Sequence, residues 1–397
     1  MSPSEAAASR PVEPLAHLEY GRELALKDEA LAAFWEARGL PGRPEPVRAS
    51  PRPRHYRTTT RRRARYRPGW LQLALGDGPS AGGAAVPASA LEPAAHTAIY
   101  RHLAEVLSTP ANRPVAAHLN HAIVRGSYEA FAVILNLDQL SGEIVRRLKV
   151  VAAGLQALEA PVVSAFAFCD PTRSDYYLER GGPPVPVRLK KLYGPATFLL
   201  RLAGRRYAVP PTCFSQVNES MVEPMLGLAR ELLRPEPGDR LLDLYCGYGL
   251  FSHYLSADCR EVLGMDVDGE AVAAAGANLR FQPAPGRVTF TRAQIDGASL
   301  ARGLPPPRDA ELIVLDPPRQ GTGAGVVPCL AARRPRRVVH ILCGIEEIPA
   351  AVGEWGAGGY AVTRVAPLDM FPGTPNLETL LLLEPQDLRG PRRSRSQ

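Results

Sequence analysis

With 397 residues the chain has room for two domains with separate cores, since domains commonly run to about 100–200 residues. Its six cysteines are scattered without a Cys-X-X-Cys, which argues against a disulfide framework and against a zinc or iron–sulfur site, and no apolar run approaches the roughly 18 residues of a membrane span. A net charge of +7 permits a polyanionic partner without requiring one, and the start lacks the basic-then-apolar order of a signal peptide, so a soluble cytoplasmic protein is expected.

Residues 1–12 read as a disordered lead. Leu18, Leu24, Leu26, Leu31 and Phe34 among charged residues predict an amphipathic helix over about 15–37. Four prolines between 41 and 51 then hold the chain extended. The most basic stretch, 52–67, follows and carries Tyr56, Arg57, Arg61, Arg63, Arg65 and Arg67. In a strand the odd-numbered arginines from 61 to 67 share one face, a row that tracks phosphates while Tyr and Trp stack on unpaired bases. A solvated basic strand is the alternative.

After a Gly/Ser/Pro/Ala loop at 76–95, helices are expected near 97–107 and 144–158, with strands at 128–137 and 162–169. These alternations describe an α+β domain whose sheet is expected to continue through a hairpin at 197–209. From 213 a segment Cys-Phe-Ser-Gln-Val-Asn leads into a helix reaching 233, and regular alternation begins. Strands are expected at 240–245, 261–266, 287–292, 311–316 and 336–342. Helices intervene, and a terminal strand pair occupies 360–384. Apolar strands in repeated strand–helix units require a parallel sheet covered on both faces.

Ligands of such sheets sit at the carboxyl ends of the strands. The first strand ends in a Tyr245–Gly249 turn, where Gly247 and Gly249 admit positive φ and close approach of a ligand. The second ends at Asp266, placed to bind ribose hydroxyls. The fourth ends in Asp316-Pro-Pro-Arg319, and the fifth in Cys343, a thiol that is either reactive or simply packed. Glu378 lies in the last segment, just before the apolar run Leu380–Leu383.

These motifs, in this order, resemble the RNA (uracil-5-)-methyltransferases: Phe214-Ser-Gln-Val-Asn218, the Tyr245–Gly249 turn, Asp316-Pro-Pro-Arg, the Cys343 strand and Phe371-Pro-X-Thr…Glu378. The likeness covers 205–385 well and the basic first half more weakly, where His55-Tyr56-Arg57 looks like the start of the family's RNA-contacting domain and the helix with Tyr20, Leu24 and Lys27 like the front of its tRNA-acting branch. The resemblance implies an α/β chain: an N-terminal α+β RNA-recognition domain (1–205), a C-terminal Rossmann-like class I methyltransferase domain (206–386) and a disordered tail (387–397). It implies S-adenosylmethionine held by Gln216, Tyr245, Gly247, Gly249, Asp266, Gln294 and Asp316. Cys343 matches the nucleophile and Glu378 the general base. Arg319, Tyr56, Arg57, Arg61 and Arg63 are the candidate RNA contacts, with Arg319 binding a phosphate or uracil carbonyl, or pairing with Asp316.

The implied product is 5-methyluridine in RNA, tRNA before rRNA, made by a monomer without metal or iron–sulfur cluster. The chain departs from the family at Leu250, Gly344, Ile345 and Asn376, which removes polar groups around cofactor and substrate. Those departures keep two alternatives open: an RNA-binding or RNA-folding protein on the same scaffold, and a methyltransferase redirected to a small nucleoside-like substrate.

Overall fold

A computed structural model describes residues 12–76, 85–174, 188–282 and 284–386. The expectations for 1–11 and 387–397, and part of the 76–95 loop, lie outside the described residues. Among the described residues the strands form a six-stranded sheet, a seven-stranded sheet and a two-stranded hairpin. No helix there is long and apolar enough to cross a membrane.

Helix α1 (Tyr20–Ala37) is capped by Glu19, whose carboxylate accepts the Gly21 and Arg22 amides. Glu23, Lys27, Leu31 and Trp35 form its buried stripe at the four-residue spacing of one helix face. Although α1 opens the chain, Leu31 and Trp35 pack into the core of the seven-stranded sheet.

The first sheet contains β1 (Thr60–Arg67), β2 (Trp70–Ala74), β3 (Leu119–Gly126), β4 (Phe131–Leu137), β5 (Val162–Cys169) and β6 (Lys190–Tyr193), in the order β2-β1-β3-β4-β5-β6. Helices α2 (Ala94–Leu107), α3 (Arg113–Ala116) and α4 (Gly142–Leu155) cover one face, packing on Ala122, Val124, Val133 and Leu135. Strand β3 has no counterpart among the expected elements. It is fully buried, yet Asn120, His121 and Arg125 break the apolar pattern that announces a buried strand. Arg125 is satisfied by the carbonyls of Pro211 and Cys213 at 2.7 and 2.5 Å.

The opposite face, with Ile123, Ile134, Phe166 and Phe168, meets a hairpin of β7 (Phe198–Leu202) and β8 (Arg205–Val209). That hairpin does not continue the first sheet as expected but forms a separate ribbon. Its apolar residues alternate, and Phe198, Leu200, Leu202, Tyr207 and Val209 enter a core shared with both sheets.

The second sheet runs β11-β10-β9-β12-β13-β15-β14. In chain order its elements are α5 (Val222–Leu233), β9 (Arg240–Leu244), α6 (Leu250–Leu255), β10 (Glu261–Asp266), α7 (Gly269–Asn278), β11 (Arg287–Arg292), α8 (Gly297–Gly303) and β12 (Glu311–Leu315). They continue with α9 (Val326–Ala331), β13 (Arg337–Leu342), α10 (Ile348–Ala357), β14 (Tyr360–Leu368) and β15 (Glu378–Pro385). Strands β9 to β13 are parallel, and β15 joins β13 antiparallel. Leu241, Val314 and Val339 face one core while Leu242, Ile313 and Val338 face the other, so both faces are covered. Strand β9 connects outward to β10 on one side and β12 on the other, which opens a crevice at their carboxyl ends.

Candidate active site

A cavity of about 210 Å³ occupies that crevice. Its wall comes first from the turn after β9. Tyr245 adopts φ +65°, unusual for a residue with a β-carbon, and its hydroxyl accepts the Gly323 amide at 3.2 Å. Gly247, at φ +55°, lines the cavity, and a β-carbon there would point into open space, so the backbone is accessible to a ligand. Gly249, at φ +86°, caps α6. Leu250 lines the cavity with an apolar side chain, and the Tyr248 hydroxyl is buried there without a partner.

Asp266 is fully buried at the end of β10. Its carboxylate accepts the amides of Gly247 and Asp268, each at 2.9 Å. Asp266 thus braces the glycine turn and is not among the residues that line the cavity. Gln294 is exposed and does not line the cavity. Gln216, by contrast, lies in the wall and its amide reaches Asp316 Oδ2 at 3.5 Å.

The register of one strand pair explains the floor. Leu342 of β13 pairs with Thr379 of β15, so the next residue of one strand, Cys343, and the preceding residue of the other, Glu378, emerge side by side. Both line the cavity together with Asp316 and Arg319. Burial pushes the Cys343 thiol up to about 12, with the Glu378, Glu347 and Asp316 carboxylates adding to it and the Arg319 guanidinium opposing. Glu378 is held well above the carboxylate range, first by desolvation and then by Asp316 and Glu347, against the pull of Arg319. Arg319 therefore acts as the local cation for the thiol and the carboxyls alike.

Glu347, three residues after Gly344, was not foreseen from the sequence. Desolvation and Glu346 raise it to about 7, and its Oε2 is buried without a partner. Phe214, Tyr248 and Phe371 are further wall residues that sequence reasoning named only as parts of motifs. Asn376 is exposed, its amide donating to Thr374 Oγ1 at 3.3 Å.

The RNA candidates divide. Arg57 reaches the cavity because residues 57 and 58 pair with the 217–218 segment, the Thr58 amide donating to the Val217 carbonyl at 2.8 Å. Arg61 and Arg63 lie half-buried on one face of β1, while Arg62 on the other is buried against Glu92 at 3.0 and 2.6 Å. Tyr56 is fully buried, its hydroxyl donating to the Pro372 carbonyl at 3.0 Å, so in this structure no base can stack on it.

The family model for tRNA (Uracil-5-)-methyltransferase matches residues 196–297. An uncharacterized RNA methyltransferase of Streptomyces avermitilis is 32% identical over 202 residues, covering 50% of this chain and 45% of the relative. The 23S rRNA (uracil(1939)-C(5))-methyltransferase RlmD of Pseudomonas aeruginosa is 32% identical over 220 residues, 55% of this chain and 47% of its own. The chain thus spans about half the length of the curated relatives it matches. A crystal structure of the Pyrococcus abyssi tRNA (uracil-54, C5)-methyltransferase with S-adenosyl-L-homocysteine superposes with a TM-score of 0.69, covering 94% of this chain and 86% of that one. At 19% identity the likeness is one of fold. The fold is the Rossmann-like fold of that structure, and the second half of the chain is similar in sequence to the RNA uracil-5-methyltransferases.

Proposed function

We propose that this chain methylates carbon 5 of a uridine in RNA, using S-adenosylmethionine as donor and Cys343 as a transient covalent catalyst. The observation that carries the proposal is the pairing of Cys343 with Glu378 at the floor of the cavity, fixed by the Leu342–Thr379 register. The open Gly247 backbone, Tyr245, Gln216 and Asp316 fit an adenosyl ligand bearing amino and carboxylate groups, with Gly249 and Asp266 holding the turn. That ligand, when bound, supplies an electrophilic methyl group.

The chain's residues supply the rest. Carbon 5 of uracil is a poor nucleophile until the Cys343 sulfur adds to carbon 6 and shifts the π electrons toward carbon 5 and the carbonyl at carbon 4. The thiol proton passes to water in the open cavity as the carbon–sulfur bond forms, and Arg319 favours the thiolate against burial. Once carbon 5 is methylated, ionised Glu378 takes its proton, the 5,6 double bond re-forms, and the carbon–sulfur bond breaks to release Cys343. The target base must leave its stack to present one face to Cys343.

Arg57 and the β1 face carrying Arg61 and Arg63 are the candidate RNA track, reaching phosphates along the N-terminal domain. The matched tRNA family model favours tRNA, and the rRNA-acting relative keeps rRNA as the other substrate. A cytoplasmic monomer fits this role. Purified protein incubated with methyl-labelled S-adenosylmethionine and unmodified tRNA and rRNA transcripts should place label in 5-methyluridine after nucleoside digestion. Label only in another nucleoside, or none in either RNA class, would sink the proposal.

A further inference from the structure

The hairpin loop 369–377 joins β14 to β15, bringing Phe371 to the cavity and leading directly into Glu378, whose strand partner is Leu368. Its backbone is held group by group by residues remote in sequence. Asn218 donates to the Met370 carbonyl at 3.1 Å, Lys27 to the Phe371 carbonyl at 3.4 Å and Tyr56 to the Pro372 carbonyl at 3.0 Å. The Gly373 amide donates to Glu23, and the Gly373 carbonyl accepts from the Leu15 amide at 3.0 Å. Asp369, where the loop begins, accepts from Lys27 at 2.7 Å and from the Tyr20 hydroxyl at 3.0 Å. Lys27 also meets Glu23 at 2.9 Å, and Glu23 is approached by Arg54 at 3.0 Å.

The Lys27 side chain is 2% exposed, and its ammonium lies between two buried carboxylates. Apolar packing would cover the loop at least as stably as a buried ion network, since replacing such a pair with well-packed hydrophobic groups is often neutral or stabilising. What a directional network adds is one geometry. Tyr20, Glu23 and Lys27 of α1 all reach the segment that delivers Phe371 and Glu378, while the apolar half of the same helix face anchors to the second sheet.

We propose that Lys27, with Glu23, Tyr20 and Tyr56 around it, is a positioning residue for Glu378: α1 clamps the 369–377 loop so that the carboxylate faces the carbon 5 proton. This rests on Glu378 acting as the base proposed above. None of these four residues lines the cavity, and the clamp acts through the loop backbone.

The assay that separates positioning from general stability measures an SDS-stable protein–RNA adduct with ordinary uridine-containing tRNA and rRNA transcripts and S-adenosylmethionine. Such an adduct persists only when methylation precedes a blocked proton removal. Glu378→Gln should accumulate it. Lys27→Met and Tyr56→Phe should accumulate it several-fold above wild type, with kcat lowered about 10- to 100-fold, as for a misplaced catalytic group, and KM for the cofactor little changed. Tyr56→Phe keeps the charge balance of the cluster and decides the matter where Lys27→Met fails to fold. Wild-type turnover without adduct in Tyr56→Phe, or in folded Lys27→Met, overturns the positioning role. An absent adduct in Glu378→Gln removes the methylation reading and the clamp's role with it.

Discussion

Cys343 begins as a poor nucleophile, because its thiol is pushed to about 12 and is therefore protonated at neutral pH. Glu378 is raised as well, and a base works only when ionised. As pH falls, Glu378 protonates before carboxyls of ordinary pKa, and turnover that depends on it as a base is lost. We expect kcat/KM for RNA to rise with pH along a limb lying above the normal carboxylate range of about 4, and Glu378→Gln to abolish turnover at every pH. A profile flat from pH 5 to 9 would contradict the assignment. Cys343→Ala should lower turnover by at least about 10³-fold while RNA affinity stays within a few-fold, measured by filter binding. Asp243 offers a stability counterpart. Burial raises its carboxyl to about 7, although Ser252 donates to it from backbone and side chain. A folded-state pKa above the unfolded one means stability present in acid and lost as pH rises through about 7. Asp243→Asn should therefore gain several degrees in Tm over wild type at pH 8 and little at pH 4. The places of Cys343 and Glu378 were legible in the sequence because each ends or begins an apolar strand, whereas the roles proposed for them come from the family resemblance. Tyr56 and Gln294 were misplaced because an aromatic or amide side chain in a polar stretch says nothing of the direction in which it points. Glu347 carried only the weak signal of an acidic pair after the cysteine strand.

At the scale of elements, the strand–helix alternation of the second half was readable because its strands are apolar runs bounded by turns, and β9 to β13 fall within a residue or two of expectation. Strand β3 was not, since polar residues in it find partners remote in sequence, Asn120 the Ser174 carbonyl and Arg125 the Pro211 and Cys213 carbonyls. The β7–β8 ribbon was expected as a hairpin, but no local signal tells which sheet a hairpin joins. Strand β1 shows both faces of a basic strand: half-exposed arginines outward, and Arg62 inward against Glu92 with both side chains nearly inaccessible. Removing one partner strands a buried charge. Arg62→Met should cost about 3–5 kcal/mol in chemical denaturation, whereas Arg63→Met should stay within about 0.5 kcal/mol. Equal losses for the two would show that the faces are not so divided.

Across the whole molecule, the two sheets share a continuous core through the β7–β8 ribbon, and α1 reaches past the first sheet to the second. The cavity is accordingly bounded by Arg57 from the basic N-terminal segment as well as by strand ends of the C-terminal sheet. An RNA lying along β1 would meet the cavity at Arg57, and a steep fall of affinity with salt is expected for such a track. The central proposal is a uridine carbon attacked by Cys343. Incubating the protein with S-adenosylmethionine and tRNA and rRNA transcripts containing 5-fluorouridine tests that most directly, because fluorine cannot leave carbon 5 as a proton does and release of the enzyme is blocked. The predicted result is a stable protein–RNA adduct whose attachment site, by peptide mass spectrometry, is Cys343, absent in Cys343→Ala. A protein that binds these RNAs tightly yet forms no adduct, or forms one at another residue, would contradict it.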